Sequence, residues 1–301
     1  MSIDQLNAEF GITGQLQFIA GKGDLPMISI DNDHASALVS VYAGQLLSYR
    51  PAGEPYDLMF LSDKAYYQPG KAIKGGVPVC WPWFGADPEG LGRPAHGFVR
   101  NRPWQVLGTE ASPDGATQVT LGLSDDADTR SIWPQAFDLS LTITVGDTLT
   151  LQLATRNKGA QPFVISQALH TYFAVGDIAQ TRVLGLADTR YLDKADGGAV
   201  KTQSGAVTIG AEVDRIYTDA APELVIEDDA MERRIHIAAS GSETAVVWNP
   251  WAKIAAGMAD LENDDYQRFL CVETVNAAGD EITVAGGDEY RLVARYRIER
   301  D

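Results

Sequence analysis

Between Phe137 and Arg156 the chain reads FDLSLTITVGDTLTLQLATR, two runs in which apolar and polar residues strictly alternate. Successive side chains of a strand point to opposite faces, so this pattern suits a sheet with one buried face and cannot sit on a helix. Gly146-Asp147 between the runs predicts a tight two-residue hairpin turn with glycine first. The same signature returns near the end of the chain. There Tyr290, Leu292, Ala294, Tyr296 and Ile298 share one face, while Arg291, Arg295 and Arg297 share the other. Further strands are expected at 15–20, 37–43, 46–50, 118–123, 164–169, 234–238, 245–248 and 269–275. No stretch keeps a helical apolar stripe for three turns, and no repeat or low-complexity linker divides the chain. The expectation is an all-β fold, one large antiparallel β-sandwich over residues 1–301.

Charge and composition narrow the partners. With 24 basic and 41 acidic residues, the net charge of −17 repels phosphate backbones and anionic lipid surfaces, so neither nucleic acid nor membrane is an expected partner. No apolar run is long enough to span a bilayer, and no signal-peptide pattern opens the sequence. Cys80 and Cys271 both lie in apolar runs and form neither a disulfide framework nor a metal pair. Buried, reduced thiols fit a cytoplasmic protein. The dinucleotide, P-loop, zincin and α/β-hydrolase motifs are all missing.

A few residues break their local pattern. Of the four histidines, His34 falls in a polar turn and is expected to be solvated, and His236 lies on a strand opposite two isoleucines. His170 interrupts a largely apolar strand, and His96 follows a loop rich in glycine and proline. Each is either a satisfied structural histidine or a functional one. Glu273 is sharper, a single carboxylate inside Phe269-Leu270-Cys271-Val272-Glu273-Thr274-Val275. Burial there would raise its pKa toward the range of a general base, unless an arginine or a strand end partners it. The segment 66–104 carries five cations (Lys71, Lys74, Arg93, Arg100, Arg102) against Asp87 and Glu89, and holds Trp81, Trp83 and Trp104. Aromatic faces beside cations suit a sugar with an anionic group.

Seven segments in order carry a resemblance: Lys74-Gly75-Gly76-Val77-Pro78, Trp81-Pro82-Trp83-Phe84-Gly85, His96-Gly97-Phe98-Val99-Arg100-Asn101, Ala168-Leu169-His170-Thr171-Tyr172-Phe173, Glu212-Val213-Asp214-Arg215-Ile216-Tyr217, Trp248-Asn249-Pro250-Trp251 and Cys271-Val272-Glu273. From about residue 30 to 298 the chain resembles the hexose-6-phosphate mutarotases, the glucose-6-phosphate 1-epimerase branch of the aldose 1-epimerase family. The resemblance implies a galactose-mutarotase-like sandwich that interconverts the α and β anomers of a sugar phosphate, glucose 6-phosphate first, without cofactor or metal. It places the general acid on His170, the general base on Glu273, and substrate binding on Lys74, Arg100 and Asp214. The family usually has arginine where this chain has Lys74, and lysine cannot make the planar two-pronged contact. Some relatives carry a substrate-binding glutamine where Ala95 stands. His96 is expected to hydrogen-bond a substrate oxygen, or else to hold its loop. Trp81, Trp83, Trp248 and Trp251 either line the sugar cleft or pack the core.

On this reading His170 starts protonated and Glu273 ionised, and monomer is the default state. The other functions that such a chain could serve are an aldose 1-epimerase for unphosphorylated sugars and a catalytically silent carbohydrate-binding or regulatory protein.

Overall fold

A computed structural model describes residues 1–300. Two large antiparallel sheets dominate it, one of nine strands and one of eight. The alternating hairpin is as the sequence predicts over Phe137–Val145 and Leu149–Asn157, both with every second residue buried. Its turn differs. Val145 pairs with Leu149, leaving a three-residue loop of Gly146, Asp147 and Thr148, and Gly146 does not enter the left-handed region. Outside contacts hold the wider loop: Tyr49 Oη donates to the Gly146 carbonyl at 2.7 Å, and His34 Nδ1 meets Asp147 Oδ1 at 2.8 Å. His34 is therefore a loop clasp rather than a solvated turn residue.

The last strand, Glu289–Arg300, lies between Leu149–Asn157 and Arg233–Ser240 in the nine-stranded sheet. Leu292, Ala294 and Tyr296 face inward, while Arg291, Arg295 and Arg297 face solvent. The eight-stranded sheet runs Ala199–Thr202, Arg190–Asp193, Val213–Thr218, Thr244–Asn249, Phe269–Asn276, Gln167–Leu169, Val79–Cys80. Tyr172–Ala174 adds to Phe269–Asn276 beyond Gln167–Leu169. Leu270, Val272 and Val247 from this sheet join Leu141, Leu153, Leu292 and Tyr296 from the other in one apolar core. Trp81 is fully buried there, its ring centroid 4.5 Å from that of Phe137 and its Nε1 donating to Thr155.

The strand expected at 164–169 is two strands. Phe163–Ile165 pairs with Ile282–Val284, whereas Gln167–Leu169 joins the eight-stranded sheet. The break falls at Ser166, whose N–H donates to Pro82 O at 3.1 Å and whose Oγ accepts from Phe84 N–H at 2.9 Å. Helices are short; the longest, Ile3–Phe10, has eight residues and a capping box on Ser2 and Gln5. Among the described residues no helix is long and apolar enough to cross a membrane.

Candidate active site

All eight residues of Phe269–Asn276 are buried. Alternation turns Leu270 and Val272 into the core between the sheets, which leaves Phe269, Cys271 and Glu273 on the outer face of the eight-stranded sheet. Leu169 pairs with Thr274, and Tyr172 pairs with Cys271. The same register carries His170 opposite Glu273, and the two side chains meet with Nε2 3.4 Å from Oε1. Here the ladder is interrupted, because His170 N–H donates to Pro78 O and Thr171 N–H to Leu169 O, both at 3.0 Å. Thr171 turns inward, where its hydroxyl meets Tyr296 Oη at 2.7 Å.

Aromatic rings enclose the pair. The His170 imidazole stacks on Tyr172 at 4.9 Å and 10°, and Trp248 approaches it edge-on at 5.9 Å. The His96 ring lies 5.7 Å from that of His170. His96 itself is held in the left-handed region at φ +64°, and its Nδ1 accepts from Gly85 N–H at 3.3 Å. That bond fixes the proton of the neutral ring on Nε2. Gly97 follows because a Cβ there would stand 1.8 Å from the Trp81 carbonyl oxygen. His170 Nδ1, Glu273 Oε2 and Arg100 Nε are buried without any hydrogen-bond partner in the protein, so polar atoms converge here unsatisfied.

Burial controls the charges. It pushes Glu273 well above the usual carboxylate range, helped by nearby Asp214 and opposed by Arg100. It drives His170 well below an ordinary imidazole, with His96, Arg100 and Lys74 acting the same way. His96 falls to about 3 through burial first, then through Arg100 and Lys74. Burial therefore acts on both members of the pair in the same sense, favouring the neutral imidazole and the protonated carboxyl over their charged forms.

A cleft of about 580 Å³ opens beside the pair, with His96, Trp83, Phe84, Lys194 and Asp214 on its walls. Asp214 stands in register with Trp248. Lys74 Nζ lies 3.5 Å from Asp260, and Arg100 Nη2 donates to the Ala95 carbonyl at 3.1 Å. Among the described residues no group of three or more His, Cys, Asp or Glu could hold a metal ion.

The aldose 1-epimerase family model matches residues 26–297. The chain belongs to the aldose 1-epimerase family. As a member it is an isomerase. A protein of Escherichia coli K12 named "Putative glucose-6-phosphate 1-epimerase" is 37% identical over 257 residues, 85% of this chain and 84% of the relative. The crystal structure of YeaD from Salmonella typhimurium, called there a "putative mutarotase", superposes with a TM-score of 0.90 at 31% identity, covering 99% of each chain. A galactose mutarotase-like protein from Clostridium acetobutylicum shares the fold, with a TM-score of 0.73 at 14% identity over 95% of this chain and 98% of its own.

In this member of the family the residues expected at the site lie near one another: His170 and Glu273 touch, the His96 ring adjoins that of His170, and Asp214 and His96 line one cleft. Lys74 and Arg100 are near enough for their charges to act on His170. The rest of the positive segment is committed elsewhere. Arg93 binds Asp87 and covers the face of Trp83 at 4.3 Å, and Arg102 lies over Phe98 at 5.5 Å. Trp81 packs the core, whereas Trp83 and Trp248 border the site. Sequence reasoning passed over Tyr172 and Lys194. Tyr172 lies two residues after His170, and Lys194 opens a polar turn that gives no local sign of function.

Proposed function

We propose that this isomerase is a cytoplasmic aldohexose-6-phosphate mutarotase, with glucose 6-phosphate its first candidate substrate. One observation carries the reading: His170 and Glu273 face each other at 3.4 Å, each with a second polar atom unpartnered, and the His96 ring 5.7 Å from His170 stands on the wall of a sugar-sized cleft. The free, buried thiols of Cys80 and Cys271 support the compartment. The name borne by the Escherichia coli relative supports the phosphate ester.

In this reading Glu273 is the base and His170 the acid. Glu273 takes the proton of the C1 hydroxyl as the C1–O5 bond breaks, and His170 gives its proton to O5. The open-chain aldehyde rotates about C1–C2, and the same steps in reverse close the ring on the other face. The forms that burial favours match one stage of this cycle. A neutral imidazole beside a protonated carboxyl is the state that follows ring opening, and it is ready for closure. One proton moved from Glu273 to His170 gives the state that opens the ring. A sugar hydroxyl donating to Glu273 Oε2 favours that transfer, because a hydrogen bond to the charged form stabilises it. Arg100 and Lys74 bind substrate oxygens beside the pair, Asp214 accepts from sugar hydroxyls, and His96 donates through Nε2.

Magnetisation-exchange NMR on equilibrated glucose 6-phosphate, with glucose as control, tests the proposal. Faster anomer exchange for the phosphate than for glucose supports it. Equal acceleration would assign an aldose 1-epimerase of free sugars, and no acceleration of any hexose or its 6-phosphate would leave a binding protein.

A further inference from the structure

Trp248, Asp214 and Lys194 stand in one cross-strand row. Trp248 pairs with Cys271 on one side and Asp214 on the other. Asp193 pairs with Arg215, and the same register carried one residue further sets Lys194 opposite Asp214. The row shares the outer face with Glu273, since Cys271 is two residues from it on the same strand. Lys194 is three strands from Cys271, about 14 Å at the usual strand spacing. It lines the cleft together with Asp214 and His96.

Its charge has no ion-pair partner among the described residues, although its turn is rich in carboxylates. Lys201 takes both, Asp193 at 2.8 Å and Asp196 at 2.7 Å. Other charges around the cleft are matched or tied. Glu89 faces Arg93 at 3.4 Å, Glu281 accepts from Gly279 N–H at 3.0 Å, and Lys74 lies against Asp260. Arg100 is bonded to Ala95 and does not line the open cleft. An ammonium at the outer wall with no carboxylate within ion-pair distance, acting on the Asp214 carboxylate beside it, is placed for an anion carried on the exocyclic C6 of a sugar.

We infer that Lys194 receives the phosphate group of the substrate and is the residue by which this enzyme separates hexose phosphates from free hexoses. The inference rests on the mutarotase reading above. Asp214 holds the sugar between the reacting end at His170 and Glu273 and the anionic end at Lys194. Salt should weaken the contact, because Lys194 is exposed.

The test compares KM for glucose 6-phosphate and for glucose in the unaltered enzyme, Lys194→Gln and Lys194→Arg. Lys194→Gln should raise KM for the phosphate about five- to tenfold with KM for glucose unchanged, and Lys194→Arg should stay near the unaltered value. Equal changes with both sugars would make Lys194 a partner of Asp214 alone and overturn the inference. So would a phosphate preference that survives Lys194→Gln, while leaving the mutarotase reading intact. An unaltered enzyme that treats both sugars alike would overturn both.

Discussion

The hydroxyls of Thr171 and Tyr296 meet at 2.7 Å in the interior, so one hydrogen bond ties the eight-stranded sheet to the nine-stranded sheet beside His170. Both groups are buried, and Tyr296 also packs its ring edge-on against Phe173 at 5.1 Å. The bond holds the interrupted ladder in the shape that turns His170 outward. Tyr296→Phe should cost about 1–2 kcal/mol of stability in urea unfolding. It should also lower kcat about tenfold with KM unchanged, as expected when a catalytic group is displaced. Thr171→Ser keeps the hydroxyl and should retain most of kcat, whereas Thr171→Val should behave like Tyr296→Phe.

Glu273→Gln and His170→Ala should each slow enzyme-catalysed anomer exchange by about 10²–10⁴-fold. Because the two residues pass one proton between them, the double variant should be little slower than the worse single one. Independent, multiplying losses in the exchange experiment would show that they do not work as a pair.

The pH profile follows from the directions of the two shifts. His170 is held below an ordinary imidazole and Glu273 above an ordinary carboxyl, so the pair keeps one proton between those two values. Activity should fall in acid, when the pair gains a second proton, and in base, when it loses its only one. The expected profile of kcat/KM is a bell, its acid limb below the range of an ordinary imidazole and its base limb above that of an ordinary carboxyl. A profile with no fall in base would contradict the raised Glu273.

A second tether lies at the end of Tyr172–Ala174, the short strand that follows His170. Arg233 and Asp228 are fully buried 3.3 Å apart, and Arg233 Nη2 donates to the Ala174 carbonyl at 2.6 Å. Asp228→Ala leaves the guanidinium buried without its counter-charge and should cost about 3–5 kcal/mol in urea unfolding. Replacing both residues by leucine or methionine should cost less than the single change.

Much of this was legible in the chain. Alternation predicted the 137–156 hairpin strands and the Tyr290–Ile298 face, and it put Glu273 on one face with Phe269 and Cys271. Local pattern ends where distant segments meet. That His170 stands opposite Glu273 depends on the register between strands a hundred residues apart, and no nearby residue encodes it. The loop at Gly146 and the break at Ser166 answer to Tyr49, Asp147, Pro82 and Phe84, all contacts made only on folding. The electrostatics of the pair are non-local as well: the rings of Tyr172 and Trp248 that enclose His170 meet it only in the folded chain, and it is this burial that opposes charge on either member.

The row from Cys271 to Lys194 crosses from the middle of the sheet to the edge hairpin of Arg190–Asp193 and Ala199–Thr202. Chemistry and recognition therefore draw on parts of the sheet with different freedom to change. Glu273 sits on a strand flanked on both sides and His170 at the break between the two short strands beside it, where a substitution disturbs every neighbour. The anion contact sits on a peripheral turn that can be rebuilt alone. Grafting a different hairpin would retarget the catalyst to a new sugar and leave its acid and base untouched.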